Sequence, residues 1–98
     1  MDPCKSLLGA LIRFARTHCI MLQSFTTPLD SQVENTLTNA YDYLLQRNLF
    51  SCLRRSQQNQ INAQLQVVLN AINTRDVSMI IQALNDLKTL AMQIRNSL

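Results

Sequence analysis

A chain of 98 residues can bury only about two thirds of its unfolded surface, so pairing with a second copy would enlarge its core. One Gly and two Pro are too few turn residues for a sheet of many strands, and the composition predicts a single all-α domain over residues 1–98. The net charge of +3 is mild, and the three Cys and one His lack the spacing of a zinc site or a disulfide framework. We therefore expect reduced thiols in a cytoplasmic protein.

Helix one is predicted over residues 3–23, because Asp2 and Pro3 form an N-cap and first-turn pair ahead of apolar residues at helical spacing. The apolar run 6–12 is too short for a membrane span, and no cleavage site follows it, so neither a span nor secretion is expected. Lys5 and Arg16 are nearly eclipsed on this helix, with Arg13 about 60° away. These three residues predict a basic ridge.

Helix two is predicted over residues 32–54, starting at the capping box of Ser31 and Glu34 and containing neither Gly nor Pro. On such a helix Arg47 and Arg54 would align within about 20°, about 10.5 Å apart, with Arg55 turned to one side. The polar side chains predicted to surround this arginine face and to contact a polyanion with it are Asn39, Tyr43 and Gln46.

Two further helices are predicted over residues 57–72 and 77–97, joined by a turn at residues 73–76, and Asp76 is predicted to cap the last helix. The last helix carries a heptad-like apolar seam of Ile80, Leu84, Leu87, Ala91 and Ile94. This seam favours an intramolecular hairpin with helix three, and it also suits a dimer interface. The expected fold is a four-helix hairpin or bundle-like domain that forms a homodimeric helical bundle.

Catalytic equipment is sparse. His18 and Cys19 are adjacent, so on a helix they point about 100° apart and cannot act as a pair. A single Gly rules out a glycine-rich phosphate loop. The sequence therefore predicts a non-enzymatic protein without a metal, a cofactor or a small-molecule substrate.

The spacing of Val33, Leu37, Asn39, Leu44 and Leu49 resembles the central helix of the small suppressors of RNA silencing that insect nodaviruses encode, which bind double-stranded RNA. The resemblance implies an all-helical dimer whose long antiparallel helices lie along A-form RNA and shield it from Dicer and from loading. The basic positions of that family fall on Gln46 and Leu53 here. Arg47 and Arg54 follow one residue later, so the RNA-facing surface would be rotated accordingly.

The resulting hypothesis is sequence-independent binding of double-stranded RNA that protects it from the silencing machinery of a host cell cytosol. Arg47, Arg54 and Arg55 would make the contacts, with Lys5, Arg13, Arg16 and nearby amides. The alternative is a helical protein-interaction or dimerisation module without nucleic-acid binding, in which the arginines only form a solvated face.

Overall fold

The computed structural model describes residues 3–46 and 52–98, which form four helices. These are α1 (Pro3–Leu22), α2 (Ser31–Gln46), α3 (Arg55–Thr74) and α4 (Val77–Ser97). No strand occurs in the two described ranges, and the prediction of an all-α fold is confirmed. In the part of the chain that the structure describes, no helix combines the length and the hydropathy that crossing a bilayer requires.

Helix α4 packs against α1 and also against α3. Its predicted seam is buried inside the single chain, and all five members are at most 5% exposed: Ile80, Leu84, Leu87, Ala91 and Ile94. The seam predicts helix three as the partner, whereas the structure gives α1 the more extensive contact. The homodimer stays a prediction. It would have to form through another surface, because one chain already buries the seam.

The predicted continuous helix over residues 32–54 is wrong at its end. Residues 52–54 are not α-helical, and Arg54 adopts extended backbone (φ −62°, ψ 153°) as the N-cap of α3. Leu53 is buried in the core, so tertiary packing overrides the helical pattern that continues through this position. No Gly or Pro marks the change of direction, and the sequence pattern therefore gives no warning of it.

Helix α2 is capped differently from the prediction. The Asp30 carboxylate accepts a hydrogen bond from the backbone N–H of Gln32 at 2.7 Å, so Asp30 supplies the cap expected from Ser31. Glu34 uses its carboxylate in an ion pair with Arg75, whose Nε lies 3.2 Å from Glu34 Oε2. This pair ties the first turn of α2 to the connection between α3 and α4.

The turn between α3 and α4 matches the prediction more closely. Asp76 caps α4 by accepting a hydrogen bond from the backbone N–H of Met79 at 3.2 Å. Arg75 adopts the left-handed conformation (φ 61°) that ends α3, and its carbonyl accepts a hydrogen bond from the Leu29 N–H at 2.8 Å. The loop after α1 is thereby fixed to this turn.

Cys4 and Cys52 form a disulfide, with their Cα atoms 5.8 Å apart. The prediction of three reduced thiols is therefore wrong for these two, because the fold brings together residues whose sequence spacing carries no disulfide signal. Cys19 remains free and buried, and burial raises the pKa of its thiol.

Thiol labelling is expected to show three distinct stoichiometries. With iodoacetamide at neutral pH, the native protein should take up none, because the thiolate is the reactive form and Cys19 is both buried and protonated. Denaturant without reductant should expose one reactive thiol, and denaturant with reductant all three. Mass spectrometry checks the counts, and three labels without reductant would contradict the disulfide.

Candidate nucleic-acid interface

A groove between α1 and α4 gathers cationic side chains from both helices. Its cavity of about 380 Å³ is lined by Gly9, Ile12, Arg13, Arg16, Lys88, Met92 and Arg95. On each helix the lining residues recur at intervals of three or four, so they share one face. We call this concavity the α1–α4 groove.

Contacts of Cys19 show how α1 and α4, the two helices that line the groove, are aligned. Its thiol lies 3.7 Å from the carbonyl oxygen of Ile81 and 3.6 Å from Oδ1 of Asn85. The lining residues of α1 precede Cys19, whereas those of α4 follow Asn85, so the helices run antiparallel. Arg16 therefore lies towards Lys88, and the charge of Lys88 opposes part of the rise in the Cys19 pKa.

No carboxylate lines the α1–α4 groove, and α1 contains neither Asp nor Glu. The Asp86 carboxylate of α4 lines the other groove, between α3 and α4, where it accepts a hydrogen bond from Gln82 at 3.1 Å. Within residues 3–46 and 52–98, the ion pair of Glu34 and Arg75 is the only one. Among the described residues, no carboxylate therefore forms an ion pair with the four cations of the groove.

Clustered like charges disfavour folding. Arg13 and Arg16 are three residues apart on α1, a spacing at which like charges destabilise a helix by a few tenths of a kcal/mol. Lys88 and Arg95 add further positive charge from the facing helix. A cluster of like charges of this kind is typical of a surface that binds an anion.

The structure places only some of the predicted contact residues in the groove. Arg13 and Arg16 line the α1–α4 groove, and Lys5 continues the α1 wall one turn before Gly9. The exposed side chains of Asn39 and Tyr43 lie on α2 and do not line the groove. Arg47 and the side chain of Gln46 lie outside what the structure describes.

Arg54 and Arg55 occupy positions that differ from the prediction. Arg54 is the N-cap of α3 and Arg55 is its first residue, so neither belongs to the helix that would contain Arg47. The predicted alignment of Arg47 with Arg54 on one helical face is therefore wrong. Both arginines are exposed, and the disulfide joins the segment just before them to the first turn of α1, next to Lys5.

Lys88 and Arg95 line the α1–α4 groove and were not among the site residues predicted from the sequence. Their spacing of seven residues puts them on one face of α4, a signal that is present in the sequence. Arg95 also complements the dipole at the end of α4, and this role alone is sufficient to explain a basic residue at this position. Only the packing of α4 on α1 places both residues opposite Arg13 and Arg16.

His18 is part of the local helix structure and lies outside the groove. Its Nδ1 lies 2.7 Å from the Phe14 carbonyl oxygen, to which it donates in the matching tautomer, and the two rings are 4.6 Å apart. Among the described residues, no three His, Cys, Asp or Glu side chains are grouped as metal ligands. The concentrated charge in the α1–α4 groove therefore remains the best candidate site. Comparisons of the chain with protein-family models, curated proteins and solved structures found no match.

Proposed function

We propose that the protein binds double-stranded RNA without sequence preference, through the cationic face that α1 and α4 share. The observation that carries the proposal is the convergence of Arg13, Arg16, Lys88 and Arg95 on one groove that lacks a carboxylate. Such a face attracts a phosphate backbone whatever its base sequence, because neutralised phosphates release their counterions. Arg also forms bidentate hydrogen bonds with phosphate oxygens.

A duplex fits this surface better than a single strand does. Base stacking on aromatic side chains is the usual means of holding single strands, and the groove has no aromatic lining residue. A-form RNA is recognised through its shape, its phosphates and its 2′-hydroxyls. The resemblance to nodavirus silencing suppressors also favours a duplex.

Under this proposal the biological activity is sequestration without turnover, in which bound RNA is shielded from silencing nucleases in the cytoplasm of a host cell. A homodimer would double the number of phosphate contacts and is part of the proposal. Disulfides are rare in the cytosol, where glutathione keeps thiols reduced. Binding of duplex RNA should therefore be measured with both the oxidised and the reduced protein. We expect both forms to bind, because the cations of the groove are present in each.

The test is a binding titration with a duplex RNA of roughly 25 base pairs, long enough for six or more phosphate contacts, beside DNA duplex and single-stranded RNA of equal length. The RNA duplex should bind most tightly, and its affinity should fall about 10³-fold or more between 50 and 200 mM salt, as expected for six to eight phosphate contacts. The proposal would be refuted if the protein bound none of the three nucleic acids.

The alternative function, a helical protein-interaction module, is favoured by a second groove. It lies between α3 and α4, has a volume of about 440 Å³ and is lined mainly by apolar atoms. Val67 and Met79 line it and are about half exposed, at 48% and 50%. Under this alternative, Met79→Glu abolishes function and substitutions in the α1–α4 groove do not, whereas the RNA proposal predicts the reverse.

A further inference from the structure

The only glycine of the chain lies in the α1–α4 groove. Gly9 is in the interior of α1, where glycine is less favourable than alanine by about 1 kcal/mol. A Cβ at this position would lie 3.6 Å from Nη1 of Arg13, which is ordinary van der Waals contact. Neither backbone conformation nor packing therefore requires glycine here.

Arg13 folds over this position. Its guanidinium lies beside the bare backbone of Gly9, within the cavity. Ile12 and Met92 contribute apolar surface to the same cavity. The missing side chain thus leaves the Gly9 backbone uncovered beside a guanidinium, inside the cavity that the other three cations also line.

The size of the groove also limits what can enter it. A volume of about 380 Å³ is in the range of small-ligand pockets. A duplex can contact the rim, but it is too wide to enter a cavity of this size. The cations come from both walls, so they can surround a compact anion instead of only touching a broad surface.

We propose that the α1–α4 groove binds a chain of linked phosphates. Such a chain carries one negative charge on each phosphate and a further one, mostly ionised at neutral pH, at its end, so three linked phosphates match the four lining cations. Arg13, Arg16 and Arg95 supply forked donors, and Lys88 supplies a compact positive charge. The ligand is either the 5′-triphosphate end of an RNA or a free nucleoside triphosphate. The site does not depend on duplex binding.

The experiment is calorimetric titration of the full chain with sodium tripolyphosphate, beside orthophosphate and sulfate at equal ionic strength. Tripolyphosphate should bind at least about tenfold more tightly than either small anion, a difference of about 1.4 kcal/mol or more. Equal affinities for all three anions would overturn the proposal, because they would indicate general attraction to positive charge.

Gly9→Leu tests the cavity while keeping every cation. Leucine favours a helix over glycine, and a Cβ at position 9 would meet only Nη1 of Arg13, at an ordinary contact distance of 3.6 Å, so the variant should fold. It should lower tripolyphosphate affinity at least about tenfold by filling the cavity. Gly9→Ala is the matched control, which should raise the thermal midpoint and retain binding. Unchanged tripolyphosphate binding in Gly9→Leu would overturn the proposal.

Two further binding measurements identify the source of the phosphates and separate this proposal from duplex binding. A 5′-triphosphate duplex that binds more tightly than the same duplex with a 5′-hydroxyl identifies the RNA end. Binding of free nucleoside triphosphate with no difference between the two duplexes identifies the free nucleotide. Tripolyphosphate binding by the wild-type chain without binding of the 5′-hydroxyl duplex would support the phosphate-chain site and refute duplex binding. Duplex binding without a preference for tripolyphosphate over orthophosphate and sulfate would overturn the phosphate-chain site and leave duplex binding standing.

Discussion

Replacing both Arg16 and Lys88 by alanine should lower the affinity for duplex RNA about 10²-fold at 0.1 M salt. Each phosphate contact contributes about 0.9 to the slope of log affinity against log salt, and therefore about 0.9 of a decade between 0.1 M and 1 M. Loss of two contacts should reduce the slope by about 1.8. The two residues face each other across the α1–α4 groove, so the substitution removes one cation from each wall. Fluorescence anisotropy over a series of salt concentrations measures both quantities.

The matched control places the same change in net charge elsewhere. Asn59→Glu with Gln66→Glu also lowers the net charge by two, on exposed positions of α3 that do not line the α1–α4 groove. This control should change duplex affinity only slightly, because its charges are screened over about 10 Å at 0.1 M salt. Equal losses in the two variants would show that net charge alone, and not the groove, determines binding.

Leu87→Ala should have the largest effect on stability, lowering the free energy of unfolding by about 2–5 kcal/mol. Leu87 lies on α4 and is fully buried in the hydrophobic core, so the substitution removes apolar contacts and leaves a cavity. A loss of this size is a large part of the 5–15 kcal/mol that is typical of a small domain. Urea unfolding monitored by circular dichroism measures it.

Two comparisons make the stability measurement specific. Leu98→Ala is a matched control at a residue that is 47% exposed, and it should cost less than about 0.5 kcal/mol. The unfolding midpoint of the wild-type chain, measured at several protein concentrations, also tests the proposed homodimer. A midpoint that rises with concentration indicates that a second copy contributes to the stability of the fold. A constant midpoint indicates that one chain, which buries the seam by itself, is stable without a partner.

Elements with local signals could be predicted from the amino-acid sequence. The apolar spacing of α1 and α4 predicted both helices and the burial of Leu84 and Leu87, because one apolar face of a helix must be removed from water. Asp76 was predicted as the cap of α4, because a short carboxylate at that position can reach the free N–H groups of the first turn. The basic ridge of Arg13 and Arg16 on α1 also followed from spacing alone.

The way these elements combine depends on contacts that local sequence signals do not specify. The extended backbone at Arg54, the burial of Leu53 and the bond between Cys4 and Cys52 depend on contacts between distant parts of the chain. The groove depends on α4 packing against α1 in an antiparallel orientation, which puts Lys88 opposite the α1 ridge. Helical periodicity specifies which residues share a face, whereas the choice of the neighbouring face depends on packing between elements far apart in sequence. The concentration of positive charge in the α1–α4 groove is therefore a property of the fold.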